Sequence, residues 1–292
     1  MYKAIRNVSL LSIVFFPFML AIAPIFFFES TILKFFAAAF IPIIYASSFL
    51  LTCIAFARFG VKSIVPGKFP RDVKHEIYGP RSVYGSMWTA IFYFKPLYWL
   101  ILSNNTSKKI ALRGFGYKGS LDVTFYPDTW IRDLPLLILK SGAYLANRAT
   151  IGTNMVLKDG KILVNTISVG ERSVVGHLAV LACGSEVGDF SEIGSATALG
   201  IRTRIGNRCN IGPRADINHG AYVADSTTIG ACSYLGIKSQ ITTSGIRIPP
   251  HSCIPGGTII SSQEEVKDLI HSESAMLAMH KHKLGLKLEK MI

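Results

Sequence analysis

The sequence predicts a mainly β protein: a parallel β-solenoid of triangular coils, preceded by two apolar helices and followed by a C-terminal helix. Three observations predict it. From Leu139 to Ile241 every sixth residue is Ile, Leu or Val, 18 times in succession with no frame shift. From Ser173 onward the residue four places after each aliphatic is small, and Gly directly follows the aliphatic in ten of the 18 steps. Upstream, residues 8–28 and 35–56 form two apolar runs without a charge.

A period of six belongs to neither helix nor flat strand. A fixed short period marks a solenoid with one structural unit per repeat. Three six-residue sides close a triangular coil of 18 residues, so the ladder predicts six coils and a prism about 29 Å tall at the usual strand spacing. The aliphatic points inward, the small residue fills the gap beside it, and the Gly is expected to turn the corner at little steric cost.

The chain has 292 residues, a formal net charge of +13 and half its residues hydrophobic. Its mean hydropathy, +0.38, asks for a membrane segment. The basic balance suits an anionic partner such as lipid or a phosphate-bearing cofactor. No nucleic-acid module is present, so nucleic acid is not an expected partner. The five cysteines show no paired spacing, which fits a reduced compartment.

Taken in order, residues 1–60 read as a transmembrane helical hairpin, each run being long enough to span a bilayer. Pro17, Pro24 and Pro42 are tolerated in such helices. No small-residue cleavage site follows the first run, which argues against a signal peptide. Lys3 and Arg6 precede the first run, and Arg58, Lys62, Lys68, Arg71 and Lys74 follow the second. The positive-inside rule then puts both ends and the solenoid in the cytoplasm. Residues 61–138 read as a membrane-surface, aromatic linker. Within it, residues 64–80 are expected to be a loop. Residues 84–102 read as an interfacial helix with Trp88, Tyr93, Tyr98 and Trp99 at headgroup depth, or as a cap on the solenoid's end. Residues 103–109 are expected to be a loop.

The solenoid is placed at residues 139–260. Around residues 157–166 the aliphatic register continues but Lys161 falls where a small residue belongs. Burying that charge is costly, and Asp159-Gly160 is a turn signal, so a small excursion is expected there. A step of seven separates Ile241 from Ile248. Residues 261–292 read as a helix, with Val266, Leu269, Ile270 and Leu277 on one face and Lys281, Lys283, Lys287 and Lys290 making its end basic.

The hexad ladder, Ile193-Gly194 and Ile205-Gly206 among its steps, resembles the hexapeptide-repeat, left-handed parallel β-helix family, most of whose members are acyltransferases. The segment Ile248-Pro249-Pro250 followed by Ile254-Pro255 resembles that family's closing turns. The resemblance implies left-handed coils, a homotrimer, and acyl transfer from acetyl-CoA, another acyl-CoA or an acyl-carrier thioester. Asp133-Leu134-Pro135-Leu136 before the coils and Asp159-Gly160-Lys161 within them resemble, more narrowly, the membrane-embedded domains of polylysine-synthetase-like non-ribosomal peptide synthetases. Many members of that subset carry a His just before the Asp-Gly turn, where this chain has Met155-Val156-Leu157-Lys158.

Acyl transfer needs a base for the acceptor's proton, donors for the oxyanion, and cations for the CoA phosphates. His177 and His219 both occupy the third hexad position, an outward corner, and are the candidate catalytic residues. They are 42 residues apart, which puts them on different faces of one subunit. Asn218 and Asp216 give His219 polar company. Lys238, Arg247 and Arg214 are the candidate CoA-binding cations, with Arg202, Arg204 and Arg208 behind them. His75, His271, His280 and His282 lie outside the ladder and read as surface residues, and His251, in the closing segment, is a weaker catalytic candidate than His177 and His219. The segment from Val175 to Ala182 resembles the γ-class carbonic anhydrase metal segment, but Ala182 stands where a second His is needed, so no metal is expected. The expected function is therefore a membrane-anchored, cytoplasm-facing acyltransferase acting on a sugar or membrane-associated acceptor. The alternative is a trimeric scaffold that keeps the fold and lacks the base.

Overall fold

The computed structural model of the protein describes residues 1–267. Only the first helical turn of the C-terminal segment, residues 263–267, falls within that range. Leu269, Ile270, Leu277 and the four lysines from Lys281 to Lys290 lie outside the described residues. The chain forms two compact units. The first comprises Met1–Leu121, Phe125–Ile138 and Gly152–Thr166; the second comprises Asp122–Thr124, Leu139–Ile151 and the residues from Ile167 onward.

Six helices shape the first unit: α1 (Tyr2–Phe27), α2 (Thr31–Ala39), α3 (Ile41–Val61), α4 (Tyr78–Tyr93), α5 (Lys95–Ser103) and α6 (Asn105–Gly114). By length and composition α1 and α3 are able to cross a membrane. Phe15, Phe16, Phe18 and Met19 of α1 are each more than half exposed. Pro17 and Pro24 lie inside α1 without ending it. The run at residues 35–56 was expected to be one helix, and instead it divides at Phe40 into α2 and α3. Pro42 sits in the first turn of α3, where its missing N–H costs nothing.

The aromatic stretch also differs from expectation. Trp88 and Tyr98 are not at an interface; both are fully buried, with ring centroids 5.8 Å apart and nearly perpendicular. Trp88 Nε1 donates to the Ile131 carbonyl at 2.6 Å. Tyr93 and Trp99 remain exposed. Lys95-Pro96 breaks the run at Phe94, so α4 and α5 each keep an aromatic face for the core. Tyr84 is buried among them and donates to the Phe115 carbonyl at 3.1 Å. Burial, reinforced by the nearby Asp133 charge, pushes its phenol pKa up. Residues 103–109 are not a loop, because Asn104 caps α6 by accepting from the N–H groups of Thr106 and Ser107. The expected loop at residues 64–80 contains a strand, Gly67–Pro70.

That strand pairs antiparallel with Lys161–Val164, which pairs in turn with Asn154–Val156. The excursion is therefore a complete hairpin closed by Asp159-Gly160, with Gly160 at φ 74°. Lys161 is exposed and Asp159 pairs with Lys68 at 2.8 Å. Leu157 and Leu163 hold the six-residue period yet are not inward coil positions; the hairpin buries Ile162 and Val164 instead. The sequence ladder thus counts two steps that the solenoid does not contain.

In the second unit, two-residue and three-residue strands pair in parallel at a spacing of one coil. One face stacks Tyr144–Leu145, Val174–Val175, Glu192–Ile193, Asn210–Ile211, Thr228–Ile229 and Arg247–Ile248. The next stacks Thr150–Ile151, Val180–Leu181, Ala198–Leu199, Asp216–Ile217, Tyr234–Leu235 and Cys253–Ile254. The third stacks Ile167–Val169, Glu186–Val187, Arg204–Ile205, Tyr222–Val223, Gln240–Ile241 and Ile259–Ile260. In each strand the aliphatic is buried. The step of seven after Ile241 is absorbed in the turn at Gly245, and stacking resumes at Arg247.

Two features of the coil have causes other than those expected. The Gly after each aliphatic does not turn the corner. A Cβ on Gly194 would lie 2.5 Å from Pro213 N, and one on Gly188 would lie 2.5 Å from Gly206 C. Close approach of successive coils demands the Gly. The left-handed backbone falls two residues later, on Leu178, Phe190, Ala196, Arg202, Arg208, Arg214, Ser226, Cys232 and Lys238, all with φ between 50° and 60°. The inward small residues also hydrogen-bond. Ser173, Ser191 and Thr197 donate to the carbonyls of Gly188, Gly206 and Gly212 at 2.6–2.8 Å. A hydroxyl of this size satisfies a corner carbonyl from inside the prism.

Candidate active site

The coil holds its outward corners rigidly, so a corner residue's partners are set by the coils above and below. His219 lies at the corner between the second and third faces, following Asp216–Ile217 and preceding Tyr222–Val223. Its Nδ1 accepts the backbone N–H of Ile201, one coil earlier, at 2.9 Å. The neutral ring therefore carries its proton on Nε2 and presents a donor there. Its own N–H is held by the Asn218 side chain at 2.8 Å. The same rung contact recurs at the third corner: Asp225 accepts from Asn207 N–H, Asn207 from Asp189 N–H, and Asp189 from Glu171 N–H, each at 2.8 Å. His219 thus serves its corner as Asp and Asn serve theirs.

His177 lies at the corner between the first and second faces and is exposed. Its carbonyl accepts from Ala196 N–H at 2.7 Å, which fixes the backbone. Among the described residues its imidazole makes no hydrogen bond, so both ring nitrogens are available. The two histidines do sit on different corners, and within one subunit they do not meet.

The cations divide in the same way. Lys238 shares the His219 corner: its N–H donates to the His219 carbonyl at 2.9 Å, and its Cγ lies over Gly220. Arg202 occupies the equivalent position one coil on the other side. Arg214 shares the His177 corner, two coils along, which is about 10 Å at ordinary strand spacing. Arg247 stands apart on the first face, where Gln263 clips its backbone N–H and carbonyl at 2.8 and 2.9 Å. The structure therefore gathers Arg202, His219 and Lys238 on one corner and His177 with Arg214 on another. Among the described residues no group of three or more His, Cys, Asp or Glu is placed to hold a metal ion.

Sequence reasoning missed a polar centre in the first unit. Arg81 and Asp133 form a buried ion pair at 2.6 Å, and Asp133 Oδ2 also accepts from Thr153 and Asn154 at 2.8 and 3.0 Å. Asp133 carried a signal, standing just before Leu134-Pro135; Arg81 carried none. Arg132, the next residue back, lines a cleft of its own.

No family model matches the chain, and no curated protein matches it. Solved structures do match. One is a variant of GDP-perosamine N-acetyl transferase from Caulobacter crescentus in complex with CoA and GDP-perosamine, at 18% identity over 52% of this chain and 62% of that chain, with a TM-score of 0.34. Another is UDP-N-acetylglucosamine acyltransferase from Francisella novicida, at 15% identity over 52% and 66%, TM-score 0.29. A third is a maltose O-acetyltransferase from Clostridium difficile 630, at 11% identity over 68% and 89%, TM-score 0.33. The chain spans less than two thirds of the length of the first two. The fold is read from the strand pairing itself, and matches at these values add nothing to it. They lend no support to the narrower resemblance to polylysine-synthetase-like domains.

Proposed function

We propose that the chain is a membrane-anchored acyltransferase in which His177 is the general base. It takes an acyl group, acetyl or longer, from an acyl-CoA or acyl-carrier thioester and transfers it to a hydroxyl or amine of a sugar or membrane-associated acceptor. The observation that carries this reading is the His177 ring, an exposed imidazole on a rigid corner with neither nitrogen engaged among the described residues. The hexad ladder supplies the class of reaction through its resemblance to the hexapeptide transferases.

In the proposed reaction an unengaged ring nitrogen of His177 takes the acceptor's proton as the acceptor attacks the thioester carbonyl. The tetrahedral intermediate then expels the thiolate, the C–S bond breaks, and the imidazolium returns the proton to sulfur. The acyl group leaves on the acceptor and free thiol is released. Arg202 and Lys238, two coils apart on one corner, are cations suited to the phosphates of CoA. Arg214 extends the His177 corner. This reading requires the expected homotrimer to set one prism's His177 corner against a neighbour's cations, because one subunit keeps those groups apart. In this reading α1 and α3 anchor the protein, and the cations that flank them support a cytoplasmic solenoid by the positive-inside rule.

CoA binding tests this reading. Calorimetry on the detergent-purified protein is expected to show CoA binding that weakens about tenfold when Lys238 is changed to Ala, the loss of one charge-assisted contact. Absence of wild-type binding to CoA removes acyl-CoA as the donor, and absence of binding to any acyl thioester removes the transferase reading. A second reading, a trimeric scaffold without chemistry, is favoured by the engagement of the His219 ring and by the absence of His before Asp159-Gly160. Under it the protein sediments as a trimer and releases no thiol from acyl-CoA.

A further inference from the structure

We infer that the first unit holds a binding site for the phosphate of a membrane lipid, built on Arg132. The site is a cleft of about 300 Å³, whose lining includes Leu10 of α1, Gly85, Ser86, Thr89 and Tyr93 of α4, and Arg132. Arg132 is half-buried, and among the described residues no carboxylate pairs with it. The adjacent carboxylate, Asp133, is buried and turns its Oδ2 to Arg81, Thr153 and Asn154, and it forms no ion pair with Arg132. A guanidinium removed from much of its water and left without a counter-ion is an anion site.

The local geometry agrees. Arg132 Nη1 donates to Thr89 Oγ1 at 3.2 Å, which uses the hydroxyl as acceptor and leaves its O–H to donate. Ser86 donates to the Ser82 carbonyl at 2.9 Å, which leaves its oxygen for a water or a protonated phosphate. Gly85 leaves the space in which the guanidinium lies, since a Cβ there would come within 2.9 Å of Nη2. The cleft thus offers a planar fork of donors and a hydroxyl donor, the set that suits phosphate oxygens.

The flank of the cleft indicates a lipid rather than a free anion. Leu10 belongs to α1, and Leu10, Leu11 and Val14 are all exposed, as is Tyr93 at the end of α4. An apolar helix long enough to span a bilayer lies against a cation at one side of the cleft. An acyl chain on the helix surface and a phosphate on Arg132 satisfy both at once, as juxtamembrane cations do at headgroup depth. This rests on the membrane reading of α1 and is independent of acyl transfer by the solenoid.

Native mass spectrometry tests the inference on the full chain in neutral-detergent micelles. Dioleoyl phosphatidic acid, dioleoyl phosphatidylcholine and inorganic phosphate serve as separate probes. Wild type is expected to retain one phosphatidic acid in preference to phosphatidylcholine, and inorganic phosphate at equal concentration is expected not to displace it. Arg132→Gln is expected to weaken retention about tenfold, and Thr89→Val by a smaller factor. Thr89→Val keeps the side-chain shape, so it remains informative should Arg132→Gln fail to fold. Equal retention by wild type and both variants overturns the site. Displacement by inorganic phosphate overturns its assignment to lipid. Recovery of the protein in the soluble fraction of lysed cells, read separately, overturns the membrane reading on which the site depends.

Discussion

The His219 imidazole accepts the Ile201 backbone N–H through Nδ1, joining two successive coils at one corner of the prism. Asn207 makes the equivalent bond to Asp189 N–H with an amide oxygen. His219→Asn is therefore expected to keep the rung and leave the thermal midpoint near that of wild type. His219→Ala is expected to lower stability by about 1 kcal/mol, the usual net worth of one hydrogen bond. Thermal unfolding followed by circular dichroism separates the two. Equal destabilisation by Asn and Ala would mean that the ring, and not its acceptor nitrogen, matters at this corner.

Neighbouring positions of one hexad should respond in opposite directions. Gly194→Ala drives a Cβ into the backbone of the next coil and is expected to cost about 2 kcal/mol or more, as overpacking against atoms that cannot move does. Ala196 is exposed at φ 57°, so Ala196→Gly removes left-handed strain and is expected to be neutral or slightly stabilising. Denaturant titrations of both variants check the pair. A tolerated Gly194→Ala would show that the coils have slack.

The buried Arg81–Asp133 pair belongs to a network in which Arg81 Nε and Asp133 Oδ1 have no hydrogen-bond partner among the described residues. Arg81→Met strands a buried carboxylate and is expected to cost about 3–5 kcal/mol. Pairing it with Asp133→Leu should recover much of that loss, because no charge then remains buried. A double-mutant cycle on unfolding free energy reads the difference, and additive losses would contradict the coupling.

Acid stability should depend on Asp189. The Lys140 ammonium, hydrogen-bonded at 2.9 Å, and the Glu171 N–H hold its carboxyl below the usual carboxylate range. A folded pKa below the unfolded value gives stability that is present above the unfolded pKa and lost as pH falls through the folded one. Asp189→Asn keeps an acceptor for Glu171 N–H and removes the charge. It is expected to flatten the acid limb of the stability–pH curve without breaking the rung. An unchanged acid limb would assign that limb to other carboxylates.

The period of six was legible because each inward aliphatic is dictated by its own coil. Leu157 and Leu163 show its limit: they keep the period, yet Lys161 and the Asp159-Gly160 turn take that stretch into a hairpin. The reason for the repeated Gly was not legible, because it lies in the backbone of the next coil, 18 residues away. Trp88 and Tyr98 were misplaced for a similar reason, since an aromatic run does not say which rings face lipid and which face each other. At the candidate site, His177 and His219 are equivalent by hexad position. Only the Ile201 N–H beneath the His219 ring distinguishes them, and that is a property of stacking. Arg132 left no mark at all, being one more cation until α4 brings Thr89 and Gly85 against it.

Thiol release from acetyl-CoA in the presence of hydroxyl and amine acceptors is the most direct measurement. It compares wild type, His177→Ala and His219→Asn in the same detergent. Wild type is expected to turn over and His219→Asn to retain most of that activity. His177→Ala is expected to lose about 100-fold or more while unfolding at the wild-type temperature, the usual worth of a general base. Full activity in His177→Ala, or no thiol release by the folded wild type, would contradict the assignment of His177 as the catalytic base.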